Sequence, residues 1–328
     1  MDPLDAARRR HFGHFYGLDG LPDGDSPFVV VHGNCQAGSL RRLIEAAGAR
    51  AVRIPPVHEL APDDVPLLHA LVARADALVS QPVAAGYHDL PLGVSDLAAL
   101  LPAGAPTVLV PVLRFAGHFP FQVTVRPSFA PSIDPPLVPY HDLRTIIVAS
   151  EFPRERAFTP AMAARFEDLT DSVTTEAVQR VAAASVEAMA VRERHHGTVA
   201  VSPVLAGEVR LRRTHHTLNH PTNAFFESAA VPVIAALAEA LGGGAGLDPS
   251  PSAPEAEMLG GIRARIEPVA ERAFPGAVTA GPWTVGGEPL ADDALRDAQL
   301  AWYRDNPGFV DAGLARHADT LALLGLPC

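Results

Sequence analysis

Residues 28–45 read FVVVHGNCQAGSLRRLIE. Phe28 to Val31 is a short apolar, β-branched run, which predicts a buried strand. His32, Gly33 and Asn34 break it, and good helix formers follow from Gln36. Leu40, Leu43 and Ile44 recur at helical spacing, so the stretch predicts a strand, a tight turn and a helix. Cys35 falls on the turn, near the positive end of the helix dipole, where unpaired backbone N–H groups favour negative charge. A thiol placed there is expected to have a lowered pKa and to be the better nucleophile for it. The plainer reading is a small plug at the end of the sheet, since free Cys is often buried and inert. The polar neighbours Gly33, Asn34 and Gln36 favour chemistry.

Working outward, Ala49 to Ile54 predicts a second strand, closed by Pro55 and Pro56, and a helix follows from Pro62 to about Arg74. Ala77–Ser80 predicts a third strand ending in Gln81-Pro82, residues 95–101 a helix, and Thr107–Val112 a fourth strand. The alternation predicts an α/β fold, a mostly parallel sheet flanked by helices. In such sheets ligands bind beyond the carboxyl ends of the strands, where Cys35, Gln81 and Arg114 all fall. The Pro- and Phe-rich segment 115–139, opening FAGHFPF around His118, predicts a lid or binding loop. Leu143–Ala149 predicts one more strand. Helices are expected over 160–194, 222–241, 253–274 and 292–304, with a Gly/Pro/Ser-rich linker over 242–254. The expected organisation is a peripheral lead-in (1–26), an α/β domain (27–150) and a largely helical C-terminal region (151–328).

Composition bounds the function. The 328 residues carry 26 basic and 37 acidic side chains, a formal charge of −11, which argues against nucleic-acid binding. At 48% hydrophobic and 19% charged, the chain is that of a folded globular protein. The two cysteines, Cys35 and Cys328, make no disulfide framework and fit a reducing compartment. A signal-like segment and an apolar run able to span a bilayer are both lacking, so a cytoplasmic protein without a membrane span is expected.

A second stretch, RLRRTHHTLNHPTN over 210–223, has the residue types that a thiol enzyme needs. His220 is the candidate general base or acid for Cys35, because imidazole titrates near working pH. A zinc site at His215, His216 and His220 is the alternative, but neither HExxH nor paired CxxC is present, so no metal is expected. Arg210, Arg212 and Arg213 form a basic cluster, either a phosphate-binding patch or a solvated face.

GNCQ after an apolar strand, SQPV after a later strand and TLNHPTN downstream together resemble the WcbI family over about residues 27–240. Those are capsular-polysaccharide biosynthesis proteins regarded as coenzyme A-dependent acetyltransferases. The resemblance implies acetyl-CoA as acyl donor and a sugar hydroxyl as acceptor, with Cys35 and His220 catalytic. A looser similarity is to SGNH-type esterases and acyltransferases. There Gly33-Asn34-Cys35 stands where their GDS does, and Thr217-Leu218-Asn219-His220-Pro221 where their DxxHP does, with Thr217 in the place of the acid. A Cys–His dyad is chemically sufficient, since a thiol ionises more readily than a hydroxyl. The Cys35 N–H with Gly33, Asn34, Gln36 and Gln81 would form or position an oxyanion hole. Asn219 or His216 would orient the imidazole. Arg114, His118, Arg210, Arg212, Arg213, His215, His216 and Asn223 are candidates for substrate or coenzyme A binding. The alternatives are an esterase or thioesterase using the same pair on water, and a noncatalytic ligand-binding protein.

Overall fold

Four short apolar runs of the first 113 residues form one parallel sheet. The strands are β1 (Phe28–His32), β2 (Arg50–Ala51), β3 (Ala77–Ser80) and β4 (Thr107–Leu109), in the spatial order β2-β1-β3-β4. Val30 lies opposite Leu78, and Val79 opposite Val108. Helix α1 (Pro3–His11) precedes the sheet, while α2 (Cys35–Ala46), α3 (Val65–Val72) and α4 (Val94–Ala98) link successive strands. Every residue of β1 and β3 is buried, as in a sheet covered on both faces. The second and fourth strands are shorter than their apolar runs suggested.

This computed structural model describes residues 3–328. The chain divides into two compact units, each built from three segments. The first comprises Met1–Leu113, Met189–Leu205 and Thr222–Leu259; the second comprises Arg114–Ala188, Ala206–Pro221 and Gly260–Cys328.

In the first unit, Phe28, Val30 and Leu78 share a core with Leu68, Leu71 and Val72 of α3. Phe12, Phe15 and Tyr16 belong to the same core. The lead-in, expected at the periphery, is thus part of the packing, because three aromatic side chains gain from leaving water. Helix Asn223–Ala240 packs against α2. By length and composition it is apolar enough to cross a membrane, contrary to the expectation that no such run existed. Its buried Phe225, Phe226, Val233, Ile234 and Leu237 are those of a core helix.

The second unit is mainly helical, with small antiparallel ladders such as β-pairing between Gln122–Val123 and His141–Asp142. Leu143–Ala149 is not a strand but the body of helix Leu143–Glu151. The Asp142 carboxylate caps it, accepting from the Arg144 N–H at 2.8 Å, and every residue from Leu143 to Ala149 is buried. Its apolar stretch from Ile146 to Ala149, buried on every side, shows the same run as an inner strand. The helix expected over 160–194 is two, Pro160–Asp171 and Thr175–His196; Thr174 Oγ1 accepts from the Ala177 N–H and starts the second. Residues 253–274 hold only strand Ile262–Arg263 and helix Pro268–Ala273, since Gly260, Gly261 and Pro268 interrupt a longer helix. The FAGHFPF start of the expected lid is core: Phe115, Phe119 and Phe121 are each at most 1% exposed.

Several histidines are buried without a counter-charge. Burial lowers His32 of the first unit, and His118 and His141 of the second, to about 4. In an unfolded chain these rings titrate near about 6.5. Their neutral folded form therefore stabilises the protein above that pH, and the contribution is lost as pH falls through the window down to the folded value. Each ring then opposes folding by about 1.4 kcal/mol per pH unit. Calorimetric Tm should drop steeply between about pH 6.5 and about pH 4; a flat Tm over that window would show that the rings protonate in place.

Candidate active site

The site begins where β1 ends. Gly33 has φ +155°, and a Cβ built there would lie 2.5 Å from Gln81 Oε1. Only glycine lets the Gln81 amide come this close. Gln81 Oε1 accepts from the Asn34 N–H at 2.9 Å, and Asn34 Oδ1 accepts from the Gln36 N–H at 2.9 Å to cap α2. The Gln81 amide N–H donates to Gln36 Oε1 at 3.1 Å, while Gln36 donates to the Leu113 carbonyl at 2.8 Å and accepts from the Leu113 N–H at 3.0 Å. Two buried glutamines thus tie together the ends of β1, β3 and the chain leaving β4. In the order β2-β1-β3-β4, the connections leave β1 and β3 in opposite directions, and the crevice at such a switch point is where open α/β sheets bind ligands. Cys35, the first residue of α2, sits there.

Cys35 lines an open cleft of about 570 Å³ in the first unit. Arg8 and His11 of α1, Arg41 and Arg42 of α2, and Arg53 beyond β2 also line it; Glu59 is the one carboxylate among its described lining residues. The chain is acidic overall and contains no lysine, so these guanidinium groups make a local reversal of charge. Their cations repel one another: Arg53 is pushed down by burial and then by Arg41 and Arg42. Arg8 is partly engaged, donating to the Glu59 carbonyl at 2.9 Å and to Asp64 at 3.0 Å, and Arg41 pairs with Glu45. An anion with several charges is the ligand such a cleft suits. The motif reading did not single out these arginines. Arg41 and Arg42 stand two turns into the helix that follows GNCQ, a signal available in the sequence; Arg8 and Arg53 reach the cleft only by folding.

Asn223, a predicted ligand contact, fastens a wall of the cleft. It accepts from the Met258 N–H at 3.0 Å and donates to the carbonyls of Pro254 and Ala256 at 2.8 and 3.0 Å. Met258 and Leu259 are lining residues.

The other predicted residues lie in the second unit. His118 is fully buried, its Nε2 3.0 Å from the Val209 carbonyl, and packs edge-on to Phe115 and Phe274. Arg213 donates to the carbonyls of His215, His216 and Ala264 at 2.8, 3.0 and 3.2 Å and lies over Phe119. Arg212 pairs with Glu208 at 2.7 Å, and the Arg210 guanidinium lies 5.9 Å from the Phe274 ring centre. Arg114 donates to Thr124 Oγ1 at 2.9 Å. His215 is fully buried with Nδ1 3.0 Å from Thr214 Oγ1, and His216 is 4% exposed. Among the described residues no group of three or more His, Cys, Asp or Glu side chains is placed to hold a metal ion. His220 faces Tyr140 edge-on at 6.5 Å, and burial, then His216, lowers it to about 4. The Tyr140 hydroxyl lies 2.7 Å from both Thr217 Oγ1 and Asn219 Oδ1.

The Cys35 thiol departs from expectation. Burial pushes it above its ordinary value, and Glu59 adds to the rise; the backbone N–H groups of Cys35 and Gln36 pull the other way and lose. Desolvation of the thiolate outweighs the helix start, and the free protein holds the thiol protonated at neutral pH. Iodoacetamide should therefore label Cys35 with a midpoint above the ordinary thiol value of about 8.5. Glu59→Gln should move that midpoint down, and a wild-type midpoint below the ordinary value would refute this account of the thiol.

A sequence profile of the family described as "Polysaccharide biosynthesis enzyme WcbI" matches residues 28–240, more than half of the chain. A solved structure of WcbI, described as a novel polysaccharide biosynthesis enzyme in its native form without a disulfide bond between coenzyme A and a cysteine, aligns with a TM-score of 0.72. The alignment covers 92% of this chain and 98% of that one at 18% sequence identity, which establishes a shared fold. No curated protein matches the chain significantly. A switch-point crevice carrying the GNCQ turn and the profile match that begins on its first strand lead to one conclusion: the chain belongs to the WcbI family of polysaccharide biosynthesis enzymes.

Proposed function

We propose that this enzyme transfers an acyl group, acetyl in the simplest case, from a coenzyme A thioester to a saccharide hydroxyl. The observation that carries the reading is the arginine-lined cleft around Cys35. Coenzyme A is a thioester carrier attached to several phosphates, and a related structure is described with coenzyme A and a cysteine. Arg42, Arg53 and Arg41 would hold the phosphates, since guanidinium forks match phosphate oxygens. The backbone N–H groups of Cys35 and Gln36 already favour negative charge on the sulfur.

In this reading His220 takes the Cys35 proton and the thiolate attacks the thioester carbonyl. The carbon–sulfur bond to coenzyme A breaks, and its thiolate leaves with that proton. The saccharide hydroxyl then attacks the acyl-Cys35 carbonyl, His220 accepts the hydroxyl proton, and Cys35 regains it as the ester departs. Support for His220 comes from its place in the NHPTN stretch and from a ring that burial keeps in its base form at neutral pH.

Calorimetry with coenzyme A should show binding that Arg42→Ala or Arg53→Ala weakens by about 1.5–3 kcal/mol, the range for hydrogen bonds to charged groups. Wild-type affinity in both variants would remove the arginines from the phosphate site. Arg212→Ala, which loses a pairing to Glu208, should leave coenzyme A affinity unchanged.

If Cys35 and His220 act as one unit, Cys35→Ala and His220→Ala each abolish most acyl transfer and the double variant is little worse. Additive losses would mean independent roles, and full activity in Cys35→Ser would exclude a nucleophilic thiol. Release of free acetate at the same rate with and without saccharide would identify a hydrolase instead.

A further inference from the structure

The second unit holds a cavity of about 160 Å³ whose lining is unusual in what it leaves over. Most of its charged groups satisfy one another. Arg144, 3% exposed, pairs with Asp142 at 2.6 Å and Glu267 at 2.7 Å, and donates to Thr170 Oγ1 at 2.9 Å. Arg265 pairs with Glu267 at 3.0 Å and with Asp292, and Arg296 lies 3.8 Å from Glu167. What remains are neutral or single polar atoms. Gln299 Oε1, Thr145 Oγ1 and Arg296 Nε are buried and have no hydrogen-bond partner among the described residues. Gln299 and Thr145 are 1% and 0% exposed, and all three residues line the cavity. Gln122 Oε1, also unpartnered, lines a small adjoining pocket that shares Arg144, Glu267 and Trp283 with it. Trp283, stacked on Tyr140 at 6.0 Å, gives the cavity an aromatic wall.

Each buried polar atom left without a partner costs about 1–3 kcal/mol, so three on residues lining one cavity, with a fourth in the adjoining pocket, point to a ligand that satisfies them. The volume is on the order of ten times the 10–15 Å³ that one water needs. Three arginines and four carboxylates line the cavity, so its charges nearly balance and an anionic ligand would meet a lining with no excess of positive charge. Acceptors, a hydroxyl and a single donor beside an aromatic wall match groups that both donate and accept on a ring with apolar C–H faces. We infer that this cavity binds a neutral sugar ring, one residue of a saccharide, through Gln299, Thr145, Arg296 and Trp283. The inference does not require acyl transfer at Cys35.

The test uses the full chain without acyl donor, titrated with D-glucose, D-mannose, N-acetyl-D-glucosamine and D-glucuronate under saturation-transfer NMR. At least one neutral sugar should bind, on the order of millimolar, and D-glucuronate no better. Thr145→Val deletes a hydroxyl that has no protein partner. It should leave Tm unchanged or higher while weakening the sugar by about three- to tenfold, the worth of one neutral hydrogen bond. No binding by any neutral sugar, tighter binding of D-glucuronate than of all three, an unchanged affinity in Thr145→Val, or a lowered Tm in that variant would each overturn the assignment.

Discussion

The contact on which the first unit's site depends is the bridge from Gln81 Oε1 to the Asn34 N–H, made across a residue with no side chain. It fixes where α2 begins relative to β3. The Gln81–Gln36 amide pair and the Leu113 backbone then close the ring around the carboxyl ends of three strands. Buried amides satisfied in this way resist displacement, because breaking one leaves its partners desolvated and unpaired. The sulfur of Cys35 therefore stands on a rigid platform, and Gln36 and Gln81, expected as oxyanion donors, are engaged in holding it.

That platform sits in a setting with two opposing electrostatic tendencies. Burial and Glu59 raise the thiol, while four arginines along the same cleft supply positive charge. In an acidic chain the cluster costs self-repulsion, and Arg53 is lowered first by burial and then by Arg41 and Arg42. A polyanionic ligand would relieve it. The free protein keeps the sulfur protonated, and its reactivity then depends on a base and on the bound partner.

The second unit is organised by a buried cation. Arg144 is enclosed between Phe121 and Phe166, at 4.0 and 4.3 Å from their ring centres, and holds Asp142 and Glu267. Ion pairs so deeply buried are poor sources of net stability but strong constraints on geometry, since losing one partner strands the other charge. Here they fix the walls of a cavity that also carries the unpartnered Gln299 Oε1, Thr145 Oγ1 and Arg296 Nε. The arginine that sequence suggested for phosphate, Arg213, has a similar structural duty, holding three backbone carbonyls.

The sequence alone determined the β1-turn-α2 unit, the parallel α/β alternation around it and the place of Cys35 just past a strand end. Those features follow from local rules: a β-branched run, a Gly-Asn break and helical spacing. It also carried the GNCQ and NHPTN stretches, both inside the region that matches the family. Tertiary structure decided the rest. Leu143–Ala149 became a helix because a short apolar run has no period of its own, and its environment buries every side. FAGHFPF became core, and the lead-in joined the sheet's packing, since burial depends on what lies opposite. The sign of the Cys35 shift required knowing how deeply the sulfur is desolvated. Arg8, Arg41, Arg42 and Arg53 are scattered over 46 positions of sequence numbering and converge only when α1, α2 and the chain after β2 are packed together. Charge clusters of this kind are properties of three-dimensional distance, which one-dimensional spacing does not encode.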